Sequence, residues 1–127
     1  MVVAVAVFSL SPMLAATGRL DSARFPTDDI MARLDDANPF YDEKVGGFLI
    51  YAQWPGRLVW VDDRAELHGV ERLLELGNAL DGNYEETFDR YRFDAALVKP
   101  DWALTSRLIS DGWVVDYGAK DFLVLVP

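Results

Sequence analysis

Acidic side chains crowd around Arg64 in the stretch Tyr41 to Gly69. Asp42 precedes the pair Gly46-Gly47, and Asp62-Asp63-Arg64-Ala65-Glu66 follows the apolar run Leu58 to Val61. Carboxylates at the end of a strand are the donor set of a hard divalent cation, Mg²⁺ or Mn²⁺. The same acids around an arginine make a charge-assisted hydrogen-bond network instead. Arg64 supplies the positive charge that a metal would bring, so the network is preferred and no metal is expected. Gly46-Gly47 reads either as a phosphate cradle or as a tight entry into a helix. A phosphate loop needs GxGxxG or GxxxxGK[ST]; neither occurs, so helix entry is preferred and no cofactor is expected. The candidate ligand-binding residues are therefore Asp42, Gly46, Gly47, Asp62, Asp63, Arg64 and Glu66, with no catalytic residue assigned.

Other chemistries find less support. His68 is the sole histidine, but no G-x-S-x-G elbow accompanies it, and a surface or loop position suits it better than a triad. Asp62 and Asp63 are adjacent, so on a strand end they point to opposite sides and cannot face each other across a glycosidic bond. Trp54, Trp60, Trp102 and Trp113 fall on apolar stripes or beside turns and read as core. The chain has no cysteine, which excludes disulfides, thiolate catalysis and Cys-based zinc sites.

Positioning these residues requires alternating helices and strands. Thr27 caps a helix that opens with Asp28 and Asp29 and presents Ile30, Met31 and Leu34. Asn38 to Asp42 is extended. Phe48 to Ala52 suits a strand or a helix, and helix is preferred after the glycine pair, which marks a chain reversal. Val59 to Val61 predicts a short strand ending at Asp62. Val70, Leu73, Leu74 and Gly77 predict the inward face of a helix whose Glu71, Arg72 and Glu75 meet water. Beyond the break at Asp81-Gly82, Asn83 and Glu86 approximate a capping box for a helix carrying Tyr84, Phe88 and Tyr91. Ala95 to Val98 is a strand, and Asp101 caps a helix with Leu104, Thr105, Leu108 and Ile109 that Gly112 stops. Trp113 to Tyr117 and Phe122 to Val126 form a hairpin, its FLVLV arm inside the sheet. The expected fold is α/β: a small three-layer sandwich, mostly parallel, ending in an antiparallel hairpin.

Val45-Gly46-Gly47-Phe48-Leu49-Ile50 and Val59-Trp60-Val61-Asp62-Asp63-Arg64-Ala65-Glu66-Leu67-His68-Gly69 together resemble the extracytoplasmic C-terminal domain of bacterial polytopic membrane glycosyltransferase-like proteins of the lipid-phosphosugar-dependent class. Val45, Asp63 and His68 depart from the family pattern of Trp, Gly and Tyr, while Gly46, Gly47, Asp62 and Arg64 keep it. The resemblance implies that the catalytic acid sits in an upstream membrane-embedded portion. These residues would then form a noncatalytic accessory domain on the acceptor side of the active site, near a lipid-linked sugar. The alternative is an independent soluble α/β enzyme with a divalent metal at Asp62, Asp63 and Glu66.

Composition divides the 127 residues in two. The first sixteen carry no charge, and all 33 acidic and basic side chains follow. Residues 1 to 18 are expected to form a transmembrane-like apolar segment, short of the about 20 residues of a full span, with a signal-peptide core and a buried first element as competing readings. Residues 19 to 127 then make one extracytoplasmic α/β domain at the cell membrane. A net charge of −9 and the lack of a basic stripe exclude a nucleic-acid partner.

Overall fold

A computed structural model describes residues 25–53, 55–56, 58–62, 64–119 and 121–127. Its elements are α1 (Asp28–Arg33), β1 (Pro39–Phe40), α2 (Glu43–Gln53), α3 (Ala65–Leu80), α4 (Glu85–Tyr91), β2 (Ala95–Val98), α5 (Ala103–Ser110), β3 (Val114–Ala119) and β4 (Phe122–Val126). The strands form one mixed sheet in the order β1-β2-β4-β3. Only β1 and β2 run parallel; β4 is antiparallel to both β2 and β3. The α/β class therefore holds, but the expected mostly parallel sheet does not. The long connection from Phe40 to Ala95 is spent on three helices that return to one parallel pair, and the hairpin supplies the rest of the sheet.

Parallel register is set where the pair begins. Asn38 N–H donates to Asp94 Oδ1 at 2.6 Å, and Asp94 N–H donates back to Asn38 O at 3.2 Å, aligning Pro39 with Ala95 and Phe40 with Ala96. The Asn38 amide also donates to the carbonyls of Tyr91 and Arg92, which end α4. That helix closes on Arg92 in the left-handed region, at φ 56°. Pro39 fits an edge strand, where its missing N–H breaks no ladder. β4 lies between β2 and β3, as its apolar sequence predicts. A bulge in β3 between Val115 and Tyr117 turns Asp116 toward Arg33 of α1, 3.4 Å away, while the Arg33 guanidinium lies over the Tyr117 ring.

The core is apolar and strongly aromatic. Ile30, Leu34, Phe40, Leu49, Leu97, Leu104, Leu108, Phe122 and Leu125 are fully buried. Phe40, Trp60, Phe88, Tyr91 and Phe93 meet one another at ring-centroid distances of 5.0 to 5.7 Å, the range of favourable offset and edge contacts.

Several local expectations are corrected. Val59 to Val61 is not a strand; it is an irregular segment with no ladder to the sheet. Gly46 and Gly47 lie inside α2 and mark no reversal. Thr27 is the N-cap of α1 but makes no side-chain cap bond, whereas Trp102, not Asp101, is the N-cap of α5 and Tyr84, not Asn83, that of α4, both again without a side-chain cap bond. α3 is broken at Gly69, whose φ of 78° and ψ of 160° are not helical. Its inward side is Leu73, Leu76, Ala79 and Leu80; Val70 and Leu74 face out. The stripe turns because polar side chains expected in water have partners inside. Arg72 Nη1 donates to Trp60 O at 2.9 Å, and Glu75 accepts from Tyr91 OH at 2.6 Å and pairs with Arg90. The apolar segment expected over residues 1 to 18 lies outside the described residues. Among the described residues, no helix is long and apolar enough to cross a membrane.

Candidate functional site

Asp42 begins the site region as the cap of α2. Its Oδ1 accepts from Val45 N–H at 2.9 Å and its carbonyl from Gly46 N–H at 3.0 Å, satisfying donors that a helix start leaves open. One residue later, α2 is crossed by the segment 58–62. A Cβ on Gly46 would sit 1.8 Å from Val61 O and 2.8 Å from Val61 C, so only glycine lets helix and segment touch backbone to backbone. Gly47, half-buried, follows in the same helix.

Trp60 anchors the crossing segment. Its backbone N–H donates to Tyr41 OH at 2.9 Å, its indole N–H reaches Tyr41 O at 3.3 Å, and its carbonyl takes the Arg72 bond. Val61 and Asp62 follow with no exposed surface. A buried carboxylate needs partners, and Asp62 has a full set. Arg64 N–H donates to Oδ1 at 2.8 Å, and the guanidinium adds Nε–H to Oδ1 at 3.1 Å and Nη2–H to Oδ2 at 2.6 Å. His68 Nε2 lies 3.1 Å from Oδ1 and 3.2 Å from the Asp62 backbone nitrogen. One ring nitrogen cannot donate to the first and accept from the second together. Donation to the charged oxygen is the stronger bond, so we assign the proton to Nε2. The Arg64 side chain is the first cause that holds the Asp62 carboxyl down, at about 2; burial opposes it, and the Arg64 backbone N–H and His68 reinforce it.

These contacts make a closed brace. Both Asp62 oxygens are taken by Arg64, and His68 seals Oδ1 from the first turn of α3. Arg64, half-exposed, forms the lid. Of the residues singled out in the sequence, the fold thus joins Gly46, Asp62 and Arg64 around the crossing. Glu66 is exposed, Asp63 lies outside the described residues, and Asp42 turns to a different surface. Among the described residues, no group of three or more carboxylates or imidazoles is placed to hold a metal ion. His68 enters the brace although its sequence context suggested a surface or loop position; the signal is the spacing Asp62-x-Arg64-x₃-His68 across a helix start, which folds an imidazole back over the carboxylate.

The surface that Asp42 joins is a cleft of about 440 Å³ lined by Asp42, Glu43, Lys44, Leu80, Asp81, Lys99, Asp101, Trp102 and Ala103. It opens beyond the carboxyl ends of β1 and β2, the parallel pair, where open α/β sheets place their ligands. Both α2 and α5 begin at its wall, and α3 ends there. Asp42 is 8 % exposed, and burial, the largest effect on it, pushes its carboxyl above the ordinary value, the Val45 N–H working against this. Apart from Asp42, none of these residues stood out as a ligand candidate in the sequence. Lys99-Pro100-Asp101-Trp102 directly after β2 was the available sign.

Comparison with protein-family models, with curated proteins and with solved structures returns no match.

Proposed function

We propose that this chain is a noncatalytic, extracytoplasmic accessory domain of an integral membrane glycosyltransferase-like protein, shaping the acceptor side of an active site that a membrane-embedded portion supplies. The observation that supports it is the closure of the Asp62 brace. The motif residues Gly46, Asp62 and Arg64 are needed for one structural purpose, holding the segment 58–62 across α2, with no oxygen of Asp62 left for chemistry. Residues can hold to a motif for the sake of such a joint without belonging to a reaction. The metal-enzyme alternative would need Asp62 freed from Arg64 and His68. In this proposal, residues 1 to 18 attach the domain to the membrane, and helices cover both faces of the sheet as the three-layer arrangement requires.

Assaying the chain by itself with lipid-linked sugar donors tests the noncatalytic part. No turnover is expected; turnover that disappears in Asp62→Asn would overturn it. The attachment is tested by deleting residues 1 to 19. A detergent-independent, cooperatively folding product is expected, whereas loss of folding would assign the apolar segment to the core.

A further inference from the structure

The cleft at the carboxyl ends of β1 and β2 is assigned no role by the joint at Asp62, and its chemistry narrows what can enter. Asp42, Glu43, Asp81 and Asp101 oppose Lys44 and Lys99, leaving the wall at net −2. A phosphate or carboxylate would meet that excess directly, in a chain whose total charge is −9. A small divalent cation would meet two ammonium groups, and the carboxylate closest to the core is already engaged with the Val45 N–H. The wall does suit a ligand that is neutral and needs both donors and acceptors along its edge. Lysine ammonium groups donate to hydroxyl oxygens, carboxylates accept from hydroxyl protons, and half-buried Trp102 contributes an aromatic surface against which the C–H face of a ring can lie. The volume falls within the usual range of small-molecule sites, about 300–1,000 Å³.

We propose that this cleft binds a neutral polyhydroxylated ring, a sugar unit, with Trp102 as the platform and Asp42, Lys99 and Asp101 as hydrogen-bonding groups. The frame is rigid where it matters. Lys99 is held beside the cleft because its carbonyl accepts from Thr105 Oγ1 at 2.6 Å and from Trp102 N–H at 3.2 Å, and its ammonium lies 5.6 Å from the centre of the Phe122 ring. Asp42 is fixed by capping α2. These bonds fix the backbone of the turn Lys99 to Trp102. The proposal goes beyond the accessory-domain reading and does not depend on it: a cleft can bind a glycoside in a protein of any parentage, and donor turnover is measured separately.

Amide shifts of the ¹⁵N-labelled full chain, kept in solution without any sugar-based detergent, report occupancy of the cleft. The probes are the methyl glycosides of glucose, mannose and galactose, with inorganic phosphate and Mg²⁺ as charged competitors. Saturable shifts over residues 42–44 and 99–103 are expected with at least one glycoside, weakened about two- to tenfold in Trp102→Ala and weakened also in Asp101→Asn. Asp101 is exposed, so its variant keeps the test valid should Trp102→Ala fail to fold. The proposal is overturned if no glycoside gives saturable shifts there, if phosphate or Mg²⁺ occupies these residues more tightly than every glycoside, or if Asp101→Asn and a folded Trp102→Ala bind as the parent does.

Discussion

The two ends of one short stretch of α2 solve opposite problems. At its cap, Asp42 is a mostly buried acid beside an open cleft, with a carboxyl pushed upward by burial. One residue past Val45, Gly46 meets the segment that carries Asp62, an acid with no exposed surface whose carboxyl is pulled down to about 2. Burial alone would raise both. The difference is the partner: Asp62 has a guanidinium and an imidazole bonded to it, whereas Asp42 accepts one backbone N–H and has only the more distant charges of Lys99 and Lys44, set against that of Glu43. A buried acid with a guanidinium bonded to it stabilises a joint, and one with weaker partners beside a cleft is placed to meet something else.

The sharpest break in that comparison is Gly46→Ala. A methyl 1.8 Å from Val61 O cannot be accommodated without lifting the segment 58–62 off α2, so a loss of about 3 kcal/mol or more is expected, up to failure to fold. Urea melts of the variant check it, and an unchanged midpoint would mean that the crossing is not close.

Next in size is the brace. Arg64→Ala should destabilise by about 1–2 kcal/mol, a figure lowered because the guanidinium is half-exposed and screened. Arg64→Lys should recover only part of this, since an ammonium cannot make the two-oxygen contact. Arg72, engaged with Trp60 O and lying over Tyr91, is no reference for a free surface charge; exposed Glu71 is, and Glu71→Ala should stay within about 0.5 kcal/mol. Equal midpoints for Arg64→Ala and Glu71→Ala would dissolve the brace.

The acids themselves separate by pH. Asp62 has a folded-state value below its unfolded one, so its stabilisation is complete above about 4 and disappears as pH falls toward about 2. Asp42 has a raised value, so its contribution runs the other way: ionisation opposes folding, and the cost grows as pH rises through its folded-state value. Asp62→Asn should therefore destabilise at pH 7 and flatten the acid limb of the stability curve. Asp42→Asn keeps a capping oxygen and removes a buried charge, so at pH 7 it should be neutral or mildly stabilising. Melting temperatures of both variants between pH 3 and 7 measure this; parallel profiles would contradict the contrast. Smallest of all is Gly77→Ala. Nothing lies within 4 Å of the added methyl, on an exposed turn of α3, so a gain of about 0.5–1 kcal/mol is expected from helix propensity, opposite in sign to Gly46→Ala.

Much of the framework is legible in the sequence. α1, β2, α5 and the hairpin lie within a residue or two of their expected places, because each combines an apolar repeat with a turn or cap signal nearby. The site was harder. Val59 to Val61 is not a strand, so the rule that ligands gather beyond the carboxyl ends of parallel strands points away from Asp62, to the cleft of Asp42 and Lys99-Pro100-Asp101-Trp102. α3 offered two apolar stripes in its sequence. The one that packs was selected by Tyr91 and Trp60, more than ten residues away, whose polar atoms take Glu75 and Arg72.

By itself, then, the sequence determined the quantities that act over a few residues: helical and extended periodicity, the glycine stop at Gly112 and the hairpin, together with the acidic charge excess. It also contained the pairing of Arg64 with a neighbouring carboxylate, since two residues of separation suffice for that contact. Tertiary structure decided what depends on two backbones meeting. Gly46 looks like a turn residue until Val61 O is found where its Cβ would be. Asp42 looks like one more acid of the Asp62 cluster until the β1–β2 register, locked by Asn38 and Asp94, brings it to the same cleft as Lys99. Contacts across more than fifty residues of chain are set by which surfaces exclude water together, and no local pattern carries that information.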